Sequence, residues 1–120
     1  MVKITIQEVA DKYEISKDTL RYYEKEGLIG PVLKSSSGIR DYQEFDLERI
    51  EFVKCMRSAG LSIAVLKEYM RLYDEGDSTK EARLKLLQKE QKLLKEKIDC
   101  MEDAYQKLNY KIKLYQENKI

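Results

Sequence analysis

Residues 16–42 read SKDTLRYYEKEGLIGPVLKSSSGIRDY, and the fold follows from this stretch. Its first part predicts a short helix carrying Arg21, Tyr22 and Tyr23, with Ser16 able to cap the start and Gly27 to stop the end. Leu20 and Tyr23 are its expected inward positions. Leu28-Ile29 and Val32-Leu33 predict extended chain on either side of Pro31, which bars helix nearby. Ser35-Ser36-Ser37-Gly38 predicts the tip of a hairpin, which ends in Ile39-Arg40-Asp41-Tyr42 and so repeats the Arg/Tyr combination on a second element.

Working outward, Thr5-Ile6-Gln7-Glu8 has the form of a capping box and predicts a helix to Tyr13, with Ile6, Val9, Ala10 and Tyr13 on its apolar side. Only a few residues separate it from the next helix. That is the spacing of a helix-turn-helix, whose second helix enters a DNA groove. Lys17, Arg21 and Lys25 bring charge suited to phosphate oxygens, and Tyr22 adds a hydroxyl on a stiff stem. Tyr23 reads equally well as a core aromatic. With the hairpin, the reading is a winged helix-turn-helix in a mainly α chain.

Downstream, residues 44–59 predict a third helix with Phe45, Ile50, Phe52, Val53 and Met56 on its apolar face. Ser62 caps a fourth, which packs Ile63, Val65, Leu66, Tyr69, Met70 and Tyr73 inward and stops at Gly76. Ser78-Thr79-Lys80-Glu81 predicts a second capping box, followed by a segment free of Gly and Pro. In it Leu84, Leu87, Gln91, Leu94, Ile98, Met101, Tyr105, Leu108, Ile112 and Tyr115 alternate by threes and fours, the seam of a coiled coil. Such a helix extends roughly 60 Å at 1.5 Å per residue. It needs a partner helix in water, and a second copy of the chain is the simplest one. Gln91 would fix its register, and Leu86, Leu93 and Cys100 suggest that part of the rod also packs on a head. The expected organisation is a DNA-binding head over residues 1–76 and a dimerisation helix over 77–120.

Composition restricts the chemistry. Charged residues make up 38% of the 120, yet Lys+Arg 23 against Asp+Glu 22 nearly cancel, so DNA binding would rest on a local patch. No apolar run is long enough to span a membrane and the start lacks a secretory pattern, so cytoplasmic residence is the expectation. Cys55 and Cys100 are then expected as free thiols. Histidine is absent, and Asp74-Glu75 has no partner base or metal pattern. An enzyme reading has no support, and no cofactor or metal is expected.

The motifs TIQEVA at 5–10, TLRYYEKEGLI at 19–29, GIRDY at 38–42, LERI at 47–50 and RSAGLSI at 57–63, followed by a long helix, resemble the MerR family of bacterial transcription regulators. The resemblance implies a homodimer with an antiparallel coiled coil on double-stranded promoter DNA. The promoter's spacer is too long for RNA polymerase until the dimer distorts the DNA. By motif position it implies backbone contacts from Arg21, Tyr22, Arg40 and Tyr42, base-edge or phosphate contacts from Lys17 and Thr19, and a second wing beginning at Arg57. The chain lacks the cysteine positions of metal-sensing members and is expected to carry no appended ligand domain. It is similar to the small aldehyde- and thiol-stress-responsive branch, in which a lone cysteine in the third helix is associated with sensing, and Cys55 falls there.

Two readings of Cys55 stay open: a small buried hydrophobe beside Phe52 and Ala59, or a thiolate favoured by Lys54 and Arg57. Cys100 reads as packing, and the lysines of the long helix as its solvated face. Two alternatives to electrophile sensing also remain. One is a coiled-coil interaction adaptor without DNA readout; the other is a regulator with a non-covalent ligand between rod and head.

Overall fold

The computed structural model describes residues 3–119. Five α-helices follow in order: α1 (Ile6–Tyr13), α2 (Lys17–Lys25), α3 (Glu44–Ser58), α4 (Ile63–Glu75) and α5 (Lys80–Gln116), with a 3-10 turn, Asp77–Thr79, before the last. The starts are set by local chemistry. At α1 the Glu8 amide donates to Thr5 Oγ1 at 3.2 Å and the Thr5 amide to Glu8 Oε1 at 3.4 Å, a reciprocal box that satisfies two otherwise open donors. Ser16 accepts the Thr19 amide at 3.0 Å to open α2, and Ser62 the Val65 amide at 3.1 Å to open α4.

The end of α2 differs from the extended chain predicted after it. Gly27 turns left-handed at φ 77°, and the amides of Leu28 and Ile29 both fold back onto the Tyr23 carbonyl, at 2.9 and 3.4 Å. This is a helix-ending turn, and it draws both side chains into the core. The apolar pair read as strand because a buried turn and a buried strand look alike in sequence. The wing is likewise reduced. Lys34 and Arg40 form a single antiparallel bridge, the Ser35 amide donates to the Ile39 carbonyl and the Asp41 amide to that of Leu33, each at 2.8 Å. The hairpin exists, but no strand forms among the described residues.

Two bonds seat the hairpin's base. The Tyr42 amide donates to the Ile4 carbonyl at 3.0 Å, and the Ile4 amide to Asp41 Oδ1 at 3.3 Å. Beneath it, Val9, Leu20, Leu28, Ile29, Ile50, Val53 and Leu66 form a core closed to solvent. The capping box expected at Ser78 gives way to the 3-10 turn, because the buried Thr79 sends its hydroxyl back to the carbonyls of Leu72 and Gly76, at 2.6 and 2.7 Å. Arg83 then donates to Thr79 Oγ1 at 3.0 Å and lies over the Tyr73 ring.

The chain divides into two compact units, one ending at Arg83 and the other beginning at Leu84. The second is a continuous helix as far as Gln116. Its seam residues Ile98, Met101, Tyr105, Leu108, Ile112 and Tyr115 all stand exposed, and no residue of α5 is buried. No helix among the described residues is long and apolar enough to cross a membrane.

Candidate nucleic-acid interface

The outer face of α2 gathers most of the residues singled out by the sequence. Buried Leu20 and Tyr23 fix its rotation, since residues three apart share a face. Lys17, Arg21, Tyr22 and Lys25 are thereby left exposed. Arg21 makes a 3.0 Å pair with Asp18, but Asp18 stands almost wholly in water, and such a pair is readily exchanged for a phosphate. Thr19 is half-buried at the first turn, its hydroxyl accepting from Ser16 at 2.8 Å.

Arg40 comes from the hairpin to the side of α2, where its Nε donates to Glu24 Oε1 at 2.8 Å; both side chains are largely covered. Tyr42 does not join this face, which corrects its placement as an outward contact. It is 1% exposed, and its hydroxyl is enclosed without a hydrogen-bond partner. The bond from its amide to Ile4 carries the chain inward, and burial holds the phenol above its ordinary pKa, in the neutral form. Arg57 is exposed at the end of α3 and donates to the Leu61 carbonyl at 2.7 Å, closing the turn into α4.

Residues that the sequence reading did not single out also belong here. Glu24 is the partner of Arg40. Lys67, from α4, reaches Glu26 Oε2 at 2.8 Å and borders an open cleft of about 750 Å³ with Tyr22 and Arg71. The Lys67 hydrogen bond and charge hold the Glu26 carboxyl below its ordinary range, and Glu26 raises Lys67 in return. The pair lies 41 residues apart in the chain, so no local pattern announced it.

Cys55 is exposed on α3, which disfavours the buried-hydrophobe reading, one of the two left open for it. The cations beside it in sequence are engaged elsewhere: Lys54 Nζ with the Tyr13 carbonyl, Arg57 with that of Leu61. Cys100 is also exposed. A separate aromatic cavity of about 360 Å³ opens between α3 and α4, lined by Phe45, Phe52, Tyr69 and Tyr73 with Arg49 over the Tyr73 ring at 5.1 Å. Among the described residues no cluster of three potential metal ligands occurs.

Comparison with known proteins places this arrangement. Residues 4–73 match the MerR HTH family of regulatory proteins, and residues 47–110 the MerR DNA-binding region. The HTH-type transcriptional regulator AdhR of Bacillus subtilis (strain 168) is 53% identical over 91 residues, which span 76% of this chain and 65% of that relative. A MerR family transcriptional regulator from Listeria monocytogenes superimposes with TM-score 0.91 at 44% identity, over 94% of this chain and 86% of the other. HiNmlR, a MerR family regulator lacking the sensor domain and bound to promoter DNA, superimposes with TM-score 0.87 at 32% identity, over 98% and 94%. By its residues and its fold, the chain belongs to the MerR family of helix-turn-helix regulatory proteins, as a DNA-binding transcriptional regulator.

Proposed function

We propose that the chain acts as a homodimer, setting two α2 faces on the two half-sites of a promoter and distorting an over-long spacer so that RNA polymerase can engage it. The observation that carries this reading is the exposed Lys17, Arg21, Tyr22 and Lys25 face beside Arg40, on a head similar to that of HiNmlR with its promoter DNA. Lys17, Thr19, Arg21, Tyr22, Lys25 and Arg40 make the contacts, with Arg57 at the flank; Tyr42 supports the hairpin from within. The functional division falls near residue 76, the head reading DNA and the segment beyond it pairing copies.

The second copy is favoured by the seam itself. Read backward, its three-four spacing is unchanged, so an antiparallel copy would set Leu84 opposite Tyr115, Leu87 opposite Ile112, Leu94 opposite Tyr105 and Ile98 opposite Met101. Gln91 would be the one polar residue of the seam, set opposite Leu108, which suits a register marker.

The test is binding to a duplex from the chain's own upstream promoter across a salt series. Arg21→Ala should weaken binding on all sequences and reduce the salt slope by about one phosphate's worth per head. An unchanged slope would remove α2 from the interface. The exposed thiol supports induction by a reactive electrophile at Cys55. Cys55→Ala should keep promoter binding and lose aldehyde-induced transcription in vitro. Full induction in that variant would favour a non-covalent ligand, for which the aromatic cavity between α3 and α4 is the available seat.

A further inference from the structure

Among the described residues, a single hydrogen-bonded contact joins α2 to the hairpin: Arg40 Nε to Glu24 Oε1 at 2.8 Å. Its setting is unlike that of Arg21 with Asp18. The Glu24 side chain is 15% exposed and that of Arg40 23%, so neither charge is dissolved in water and each depends on the other. Arg40 is bonded through its inner nitrogen. Its two terminal nitrogens make no further hydrogen bond among the described residues, which leaves one edge of the planar fork free. The hairpin's other bonds lie away from that guanidinium: main-chain bonds from Ser35 to Ile39 and from Asp41 to Leu33 hold the turn, and the Tyr42 amide and the Asp41 carboxylate tie its base to Ile4.

We propose that Glu24 is a positioning and specificity residue: its carboxylate clamps Arg40 so that the free edge of the guanidinium meets one phosphate at a fixed distance from α2. This rests on the DNA reading of the α2 face. The clamp holds the two DNA-facing elements in one register, so a duplex with the right backbone geometry meets both at once. The same negative charge, set behind the arginine, disfavours backbones that approach in other registers, which lowers affinity for arbitrary DNA. Glu24 touches no DNA in this arrangement and acts only through Arg40.

The experiment is a double-mutant cycle on the full chain. Affinity is measured on the upstream promoter duplex and on a random duplex of equal length. Glu24→Gln should lower promoter affinity about tenfold and leave random-duplex affinity unchanged or raised. In an Arg40→Ala background the same substitution should change promoter affinity by less than about twofold, because the two residues act as one unit. Glu24→Asp, which keeps the charge and withdraws it by one methylene, should give a smaller drop in the same ratio. Without DNA, amide exchange at Ser35 and Asp41 should quicken in Glu24→Gln. Additive effects, an equal gain on both duplexes, or unaltered exchange would overturn the inference. A wild-type chain with no salt-sensitive preference for the promoter would overturn the proposed function and this inference with it. A promoter preference that Glu24→Gln leaves undiminished overturns this inference alone.

Discussion

The head and the rod use the same residue types to opposite ends. In the head, Leu20, Leu28, Ile29, Ile50 and Val53 are wholly buried, and the chain satisfies its own core. From Leu84 on, every apolar seam residue but the half-buried Leu94 lies open, with Met101 at 71% and Tyr115 at 65% exposure. A patch of that extent on a single helix marks a surface waiting for a partner. The head is therefore a complete structural unit, whereas the rod by itself leaves its apolar seam uncovered; in the proposed homodimer its stability would depend on the concentration of the chain.

Substitutions can break that contrast. The largest effect is expected from Ile98→Asp, which sets a carboxylate at the middle of the seam in both copies. Burying an unpaired charge there should weaken self-association by about 100-fold or more and lower helicity, while the head stays folded. Sedimentation and circular dichroism would show both. Ile50→Ala attacks the other unit: a cavity at a wholly buried site should cost the head about 2–5 kcal/mol in denaturant unfolding and leave self-association intact. If either variant damages both units equally, the contrast is wrong.

A smaller, pH-dependent effect sharpens the picture of the head. Asp46 is wholly buried; one carboxylate oxygen accepts the Gln43 amide at 2.9 Å and the other has no partner. Burial raises its pKa above the ordinary value, against the opposing pull of the Gln43 amide and Arg49. A folded-state value above the unfolded one means that the protonated native form is favoured, and this stability is lost as pH rises through the raised value. Asp46→Asn does not titrate. Its melting temperature relative to wild type should therefore climb from acid to neutral pH; a gap that stays constant would contradict the assignment.

What the sequence disclosed followed the range of the interaction. Thr5 with Glu8, Ser16 and Ser62 act within three residues, and Gly27 within five, so helix starts and stops could be read directly. The rod was legible because one period repeats along it. Leu28 and Ile29 misled, since their amides are claimed by Tyr23 and an apolar pair carries no sign of that. Tyr42 misled for a related reason: a hairpin this short has no alternation to tell inward from outward, and only the bond to Ile4 decides. Glu24 with Arg40, and Glu26 with Lys67, lie 16 and 41 residues apart, and no pattern links them before the chain folds.

The proposed function stands on two copies, joined along the rod, presenting two α2 faces to one duplex. Native mass measurement of the full chain, alone and with its upstream promoter duplex, tests it most directly. A dimer is expected in both samples, with two chains on each duplex. A monomer that binds the same duplex as a single chain with undiminished affinity would contradict it.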